Sequence, residues 1–382
     1  MELKEYELGE LLSYEQPSAY IVESTDYSDS YKTPVLTAGK SFILGYTNET
    51  EGIFDKLPVI IFDDFTTATQ YVNFKFKVKS SAMKILNINT ELVLPKYIFY
   101  RMQIIQSDHS THKRYWIQQY SKLKVAIPPL SEQERIVTRI EELFSELDTA
   151  VETLQTIKQQ LAVYRQAVLK EAFCEIPFSE YRPLREIMQN SPQNGLYKPK
   201  SDYGSGVRIL RIDGFYNGFI SPTYDFKRLH VSQEEINRYS LKVNDLVVNR
   251  VNSMPYLGKC ALVRKLDETT VFESNMMRFR LNDEKANPKY VTYYLSSLLG
   301  KKELTKNAKQ AVNQASINQT DVGNALIPVP IDILHQKKVV EIIESRLSVC
   351  ESIEQTVDTA LAQADAMRQS ILKQAFEGGF NQ

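Results

Sequence analysis

Residues 131–173 read SEQERIVTRIEELFSELDTAVETLQTIKQQLAVYRQAVLKEAF, and the spacing of their apolar residues decides the fold. Ile136, Ile140, Leu143, Leu147, Ala150, Leu154, Ile157, Leu161, Tyr164 and Val168 follow one another in alternating steps of four and three. That is the 3.5-residue repeat of a coiled-coil seam. Over roughly 33 residues, at about 1.5 Å of rise each, it predicts a rod about 50 Å long. Pro128-Pro129 precedes the run, Ser131 and Glu134 have capping-box spacing, and Ile176-Pro177 ends it.

The run occurs twice. Shifted by 203 positions, Val168-Leu169-Lys170-Glu171-Ala172-Phe173 falls on Ile371-Leu372-Lys373-Gln374-Ala375-Phe376. The seam falls on Val339, Ile343, Arg346, Cys350, Ile353, Val357, Ala360, Ala364, Met367 and Ile371, with Leu347 able to replace the discordant Arg346. Two such seams in one chain can bury each other as an antiparallel pair.

The segments between the rods also echo one another. Leu8-x-Glu10-Leu11-Leu12 is answered by Leu184-x-Glu186-Ile187-Met188, and Pro95-Lys96-Tyr97-Ile98 by Pro288-Lys289-Tyr290-Val291. Leu57–Phe62 reads as a buried strand, Tyr71–Lys79 as a half-buried one by its alternation, and Val207–Arg211 and Asp245–Asn249 as strands of the second copy. The expected fold is therefore α+β. Two α/β globular domains, 1–130 and 178–327, are separated by long antiparallel coiled-coil helices at 131–177 and 328–382, as a pseudo-two-fold tandem repeat.

The overall charge of −1 conceals an asymmetry. Residues 178–325 carry 22 Lys and Arg against 15 Asp and Glu, whereas 131–177 carry 5 against 9. A polyanion would meet the second globular segment and avoid the acidic rods. Cys174, Cys260 and Cys350 form no spaced motif, so neither a disulfide framework nor a zinc site is expected. No apolar run approaches membrane-spanning length, and the acidic start MELKEYELGE lacks a signal-peptide core. A cytoplasmic protein without membrane attachment is expected.

Catalytic motifs are wanting. The sequence has no G-x-x-x-x-G-K-[ST] phosphate loop. His109-x-x-His112 lacks a nearby third metal ligand. Asn287-Pro288-Lys289-Tyr290 resembles an adenine-methyltransferase motif, but its Pro-Lys-Tyr part recurs at 95–97 without the Asn, so a capped helix start explains it better. Asp63-Asp64 lacks the Glu-x-Lys that would complete a nuclease site, and reads as a turn or a DNA-proximal loop.

Ile127-Pro128-Pro129-Leu130-Ser131-Glu132-Gln133-Glu134-Arg135-Ile136 resembles the junction of the specificity (S) subunits of type I restriction-modification systems. The Leu169–Phe173 ending and the layout of the whole chain resemble them too. The Pro129…Gln133…Ile136 signal returns as Ile331…Gln336…Val339, with the proline lost. The resemblance implies two target-recognition domains, double-stranded DNA as ligand, and no chemistry in this chain. It also implies two methyltransferase (M) and two motor-nuclease (R) subunits as partners. S-adenosylmethionine, ATP and magnesium would belong to those partners, and no cofactor to this chain. Each domain would read one half of a split target, with half-sites about 34 Å apart on one face of the duplex. The alternatives are the recognition subunit of another combined restriction-methylation system, and a coiled-coil adaptor with no DNA role.

Under that reading the candidate DNA contacts are basic, amide and hydroxyl side chains on loops. In the second domain they are Lys301, Lys302, Lys306, Lys309, Gln310, Asn313, Gln314 and Ser316, with Arg211, Asn249, Arg250, Asn252 and Ser253 after strands. In the first they are His112, Lys113, Arg114 and Tyr115, with Lys40, Thr66 and Thr67. The acidic helix faces, such as Glu141 and Glu344, are either plain solvated surface or docking sites for M subunits.

Overall fold

The computed structural model describes residues 3–37, 41–105, 115–174, 179–221, 223–330 and 332–377. It divides into two compact units, one of residues 1–155 with 358–382 and the other of residues 156–357.

The first unit runs β1 (Lys4–Glu7), α1 (Leu8–Leu11), β2 (Leu12–Glu15), β3 (Thr33–Leu36), β4 (Ile43–Thr47), β5 (Val59–Asp63), β6 (Thr69–Val72), β7 (Lys77–Val78), β8 (Met83–Ile88), α2 (Pro95–Met102), α3 (Tyr115–Gln118) and β9 (Lys124–Ile127). The first part of α4 (Leu130–Cys174) follows, and the last stretch of the chain's final helix returns to this unit. Its sheets have the orders β2-β8-β5-β6, β4-β3-β7 and β1-β9. Val59, Ile60, Ile61 and Phe62 of β5 are all buried, and the period of two splits them between two cores. Ile60 and Phe62 join α2, Trp116, Tyr120 and Ile140, whereas Val59 and Ile61 join Leu36, Phe54, Phe76 and Val78. The single strand expected over Tyr71–Lys79 is instead broken into β6 and β7. Lys77 points inward, where its ammonium pairs with Glu49 at 2.8 Å and donates to the Glu51 carbonyl at 2.7 Å.

The second unit continues with β10 (Ser179–Pro183), β11 (Gln193–Asn194), β12 (Tyr203–Leu210), β13 (Phe215–Tyr216), β14 (Gly218–Ile220), β15 (Lys227–Leu229), α5 (Gln233–Tyr239), β16 (Asp245–Asn249), β17 (Val251–Asn252), β18 (Cys260–Leu262), β19 (Thr270–Phe272) and β20 (Met276–Arg280). Then come α6 (Pro288–Ser296), α7 (Leu298–Thr305), β21 (Lys309–Gln310), β22 (Ala315–Ser316), α8 (Gln319–Gly323), β23 (Leu326–Pro330) and α9 (Ile333–Phe376). A six-stranded sheet has the order β11-β20-β16-β18-β14-β13, and three-stranded sheets have the orders β15-β12-β19 and β17-β22-β21. β16 repeats the logic of β5. Leu246 and Val248 face the core that holds Tyr290 and Ile343, and Val247 faces Leu210, Phe215 and Phe272.

The long helices pair antiparallel within each unit. In the first, Ile136 and Ile140 of α4 share a core with Leu372 and Ala375 of α9. In the second, Val168, Leu169 and Phe173 of α4 share one with Val339, Ile343, Leu347 and Cys350 of α9. Leu347 does take the seam position beside Arg346, but four other expected seam residues, Ala150, Tyr164, Ile353 and Met367, are exposed. Arg165 replaces Tyr164: it is only 6% exposed and its guanidinium pairs with Glu354 at 3.0 Å and with Glu351 at 3.9 Å. Its 203-residue counterpart Arg368 likewise displaces Met367 and pairs with Asp148, lying over the Phe144 ring. Ion pairs thus replace apolar seam contacts at matching places. α4 also starts one residue early, at Leu130, with the Glu132 and Gln133 amides bonded to the Pro129 carbonyl. Ser131 therefore lies inside the first turn and is not the cap.

Candidate nucleic-acid interface

Each globular lobe is fastened to a long helix through an equivalent buried glutamine. Gln133 and Gln336 are both 0% exposed. The Leu94 amide donates to Gln133 Oε1 at 2.7 Å, and Gln133 Nε2 donates to the Leu92 and Pro128 carbonyls at 3.1 and 2.9 Å. In the second unit the Asn287 amide donates to Gln336 Oε1 at 2.8 Å and Gln336 Nε2 donates to the Lys285 carbonyl at 3.3 Å. Both bonds hold the residue just before the Pro-Lys-Tyr helix. Proline at the first helical position leaves no amide there to satisfy, so the anchor falls on the residue before it. Asn287 caps α6 by accepting from the Lys289 and Tyr290 amides at 2.9 and 3.3 Å, which accounts for the Asn-Pro-Lys-Tyr sequence. The lysine of each helix then pairs with an acid on the long helix, Lys96 with Glu141 and Lys289 with Glu344, the latter at 2.8 Å. Two acidic side chains considered as docking surface are thus used inside their own unit.

In the second unit the fold brings together two stretches distant in sequence. Val251↔Ser316 and Asn252↔Ala315 pair across β17 and β22, and Lys309↔Ser316 and Gln310↔Ala315 across β21 and β22. Lys309 and Gln310 are exposed on this small sheet, Lys306, Asn313 and Gln314 are exposed on the segments that flank its strands, and Lys302 is exposed on α7; Asn252 and Ser316 are partly exposed on the sheet and Ser253 beside it. Lys306 pairs with Glu303 at 2.8 Å. The result is a basic, amide-rich surface.

Other candidates are turned toward the protein. Asn249, at 0% exposure, lies in the β16 core, and its amide faces the Ile212 carbonyl at 3.5 Å. Arg250 Nη1 donates to the Ser274 carbonyl at 3.0 Å, its Nε is buried, and its backbone is held by the Asn275 carbonyl and the Ile317 amide. Arg211 pairs with Glu273 at 3.3 Å. Lys301 donates to the Pro255 carbonyl, and burial lowers its pKa. Asn249 is thus core, and the polar ends of the other three are engaged by the protein itself.

In the first unit Lys40, His112, Lys113 and Arg114 lie outside the described residues, as does His109. Tyr115 is a correction: at 2% exposure it sits in the core with Trp116 and Phe62, where no base could stack on it. Asp64 is likewise structural. Its carboxylate accepts from the Trp116 amide at 2.9 Å and lies 3.7 Å from the Lys84 ammonium. Thr66 and Thr67 form the β5–β6 turn, where Asp63 Oδ1 accepts from the Phe65 and Thr66 amides at 2.8 and 2.9 Å, and Thr67 has φ of +60°.

One cluster was missed from the sequence. The Lys259 ammonium lies 3.5 Å from the Tyr216 ring centroid, 5.3 Å from that of Phe215 and 5.8 Å from that of Tyr256. Burial pushes its pKa down to about 8, with Asp213 working against that shift and Lys301 adding to it. The interleaving of Tyr256 with Lys259 is the signal that could have found it.

The family described as the type I restriction modification DNA specificity domain matches residues 1–161 and again 180–363. The chain is 34% identical over 370 residues to the EcoR124I/EcoR124II specificity subunit of Escherichia coli, covering 91% of this chain and 87% of that one. It is 25% identical to the MjaVIII specificity subunit of Methanocaldococcus jannaschii, covering 88% and 84%. A solved structure bearing on complex assembly and conformational transition of the type I R-M system has the same fold. It superposes with a TM-score of 0.66 at 17% identity, covering 98% of this chain and 97% of its own.

Proposed function

The chain belongs to the type I restriction-modification DNA specificity family, and from that premise we propose how its parts divide the work. It is a specificity subunit, and its task is DNA target recognition. Each lobe reads one half of a bipartite, asymmetric target, because the two lobes share an anchoring scheme but differ in sequence. The observation that carries this is the repeated glutamine anchor, Gln133 to Leu94 and Gln336 to Asn287, which identifies two lobes of one design in one chain.

In the second lobe, Lys302, Lys306 and Lys309 contact phosphates, and Asn252, Ser253, Gln310, Asn313, Gln314 and Ser316 face base edges. In the first, Thr66 and Thr67 of the β5–β6 turn lie at the interface. Chemistry resides in two methyltransferase and two motor-nuclease partners, which bring S-adenosylmethionine, ATP and magnesium. This chain binds none of them and supplies no catalytic residue.

Mapping methylated bases in cells that carry the wild-type system, and then a chain whose residues 178–327 come from a relative, tests the scheme. Two separated half-sites, of which only one changes on exchange, are expected. A contiguous motif, or a change in both halves, would overturn it.

A further inference from the structure

Lys259 is a cation with its water partly removed, and among the described residues the carboxylate acting on it, that of Asp213, does so without a hydrogen bond. Its neighbours are another cation, Lys301, and three aromatic rings, of which Tyr216 and Tyr256 are 54% and 51% exposed. The position is tightly set. The Asn249 amide donates to the Lys259 carbonyl at 2.8 Å, and the Gly258 amide to the Asn249 carbonyl at 3.0 Å. Gly258 has φ of +71°, and a Cβ there would meet Thr305 at 3.0 Å, so this loop needs glycine. Through Asn249 the lysine is held at the root of the β17-β22-β21 sheet. Ring faces attract the cation but cannot neutralise it, and a desolvated charge flanked by a like charge gains most from an incoming anion.

We infer that Lys259 is a phosphate contact that seats this small sheet on duplex DNA, with Tyr216 and Tyr256 flanking the bound strand. The inference rests on the small sheet being the DNA face. The charged and titratable residues around Lys259 are Asp213, Lys301, Tyr216 and Tyr256, the tyrosines through their rings. Bound phosphate would raise the lysine's pKa again, so binding takes up a proton. Affinity should then fall about tenfold between pH 7 and pH 9.

The test titrates the full chain against a mixed-sequence linear duplex at several salt concentrations, at pH 7 and pH 9. It compares wild type with Lys259→Met, Lys259→Arg and the double variant Lys302→Met/Lys309→Met. At pH 7, Lys259→Met should flatten the salt slope by about 0.9. By pH 9 the wild type should approach that variant, while Lys259→Arg, charged throughout, should keep its affinity. Equal pH dependence in wild type and Lys259→Arg, or an unchanged slope in Lys259→Met, would overturn the assignment. If the double variant alone weakens binding, only the role of Lys259 falls. If it too is silent, the DNA face itself is wrong and the assignment goes with it.

Discussion

Gln133 Oε1 accepts the Leu94 amide at 2.7 Å with no solvent reaching the glutamine, and this contact helps to tie the first lobe to its long helix. A buried amide of this kind is costly to remove because its partners are left without water or replacement.

Gln133→Ala strands three backbone groups and Gln336→Ala two. Each should cost about 2–4 kcal/mol locally, with Gln133 the larger. Hydrogen exchange should show faster opening of the Leu94 amide in the first variant and of the Asn287 amide in the second. Global melting would blur the difference, since a chain of two units need not unfold in one step.

Glu354→Gln leaves the buried Arg165 guanidinium with a weaker partner and should destabilise the second unit by about 1–3 kcal/mol. Replacing both with leucine should recover most of that loss, because an apolar pair suits the seam. Denaturant titration of the two single variants and the double variant measures the coupling.

Glu49 is held below the ordinary carboxylate range chiefly by its bond to the Lys77 ammonium, helped by the Ser24 and Glu23 amides at 3.0 Å. A depressed carboxyl contributes stability above its unfolded pKa of about 4.3 and loses it as pH falls through the folded value. The first unit should therefore weaken below about pH 4.5. Glu49→Gln should be less stable at pH 7 and show a flatter acid limb, read by thermal melts across pH.

Lys302→Ala and Lys309→Ala should weaken binding to cognate and mismatched duplexes alike. Gln310→Ala or Asn313→Ala should relax a single position of the target at a cost of about 1–3 kcal/mol. Binding of each variant to a panel of single-mismatch duplexes separates the two groups.

Arg250→Ala should weaken all duplexes evenly, because its guanidinium bonds the Ser274 carbonyl and steadies the sheet. Relaxation confined to one base pair would instead place that side chain at a base edge.

What the sequence by itself determined is periodic or repeated. The alternation of fours and threes established the long helices, the 203-residue echo established their duplication, and Pro-Lys-Tyr placed two equivalent helix starts. Such features are local, so they survive in one dimension. The period left open which of two adjacent residues faces the partner helix: Tyr164 yielded to Arg165, and Met367 to Arg368, because acids on the opposite helix receive a guanidinium there. The same holds for the interface. Residue type drew attention to Tyr115 and Asn249, yet both are core, since burial depends on neighbours contributed from far along the chain. Conversely, Lys259 joined Tyr216 only once β13 lay at the end of a sheet that also contains β18, two strands away. Pairings across tens of residues leave no spacing to read, and only the tertiary structure decided them.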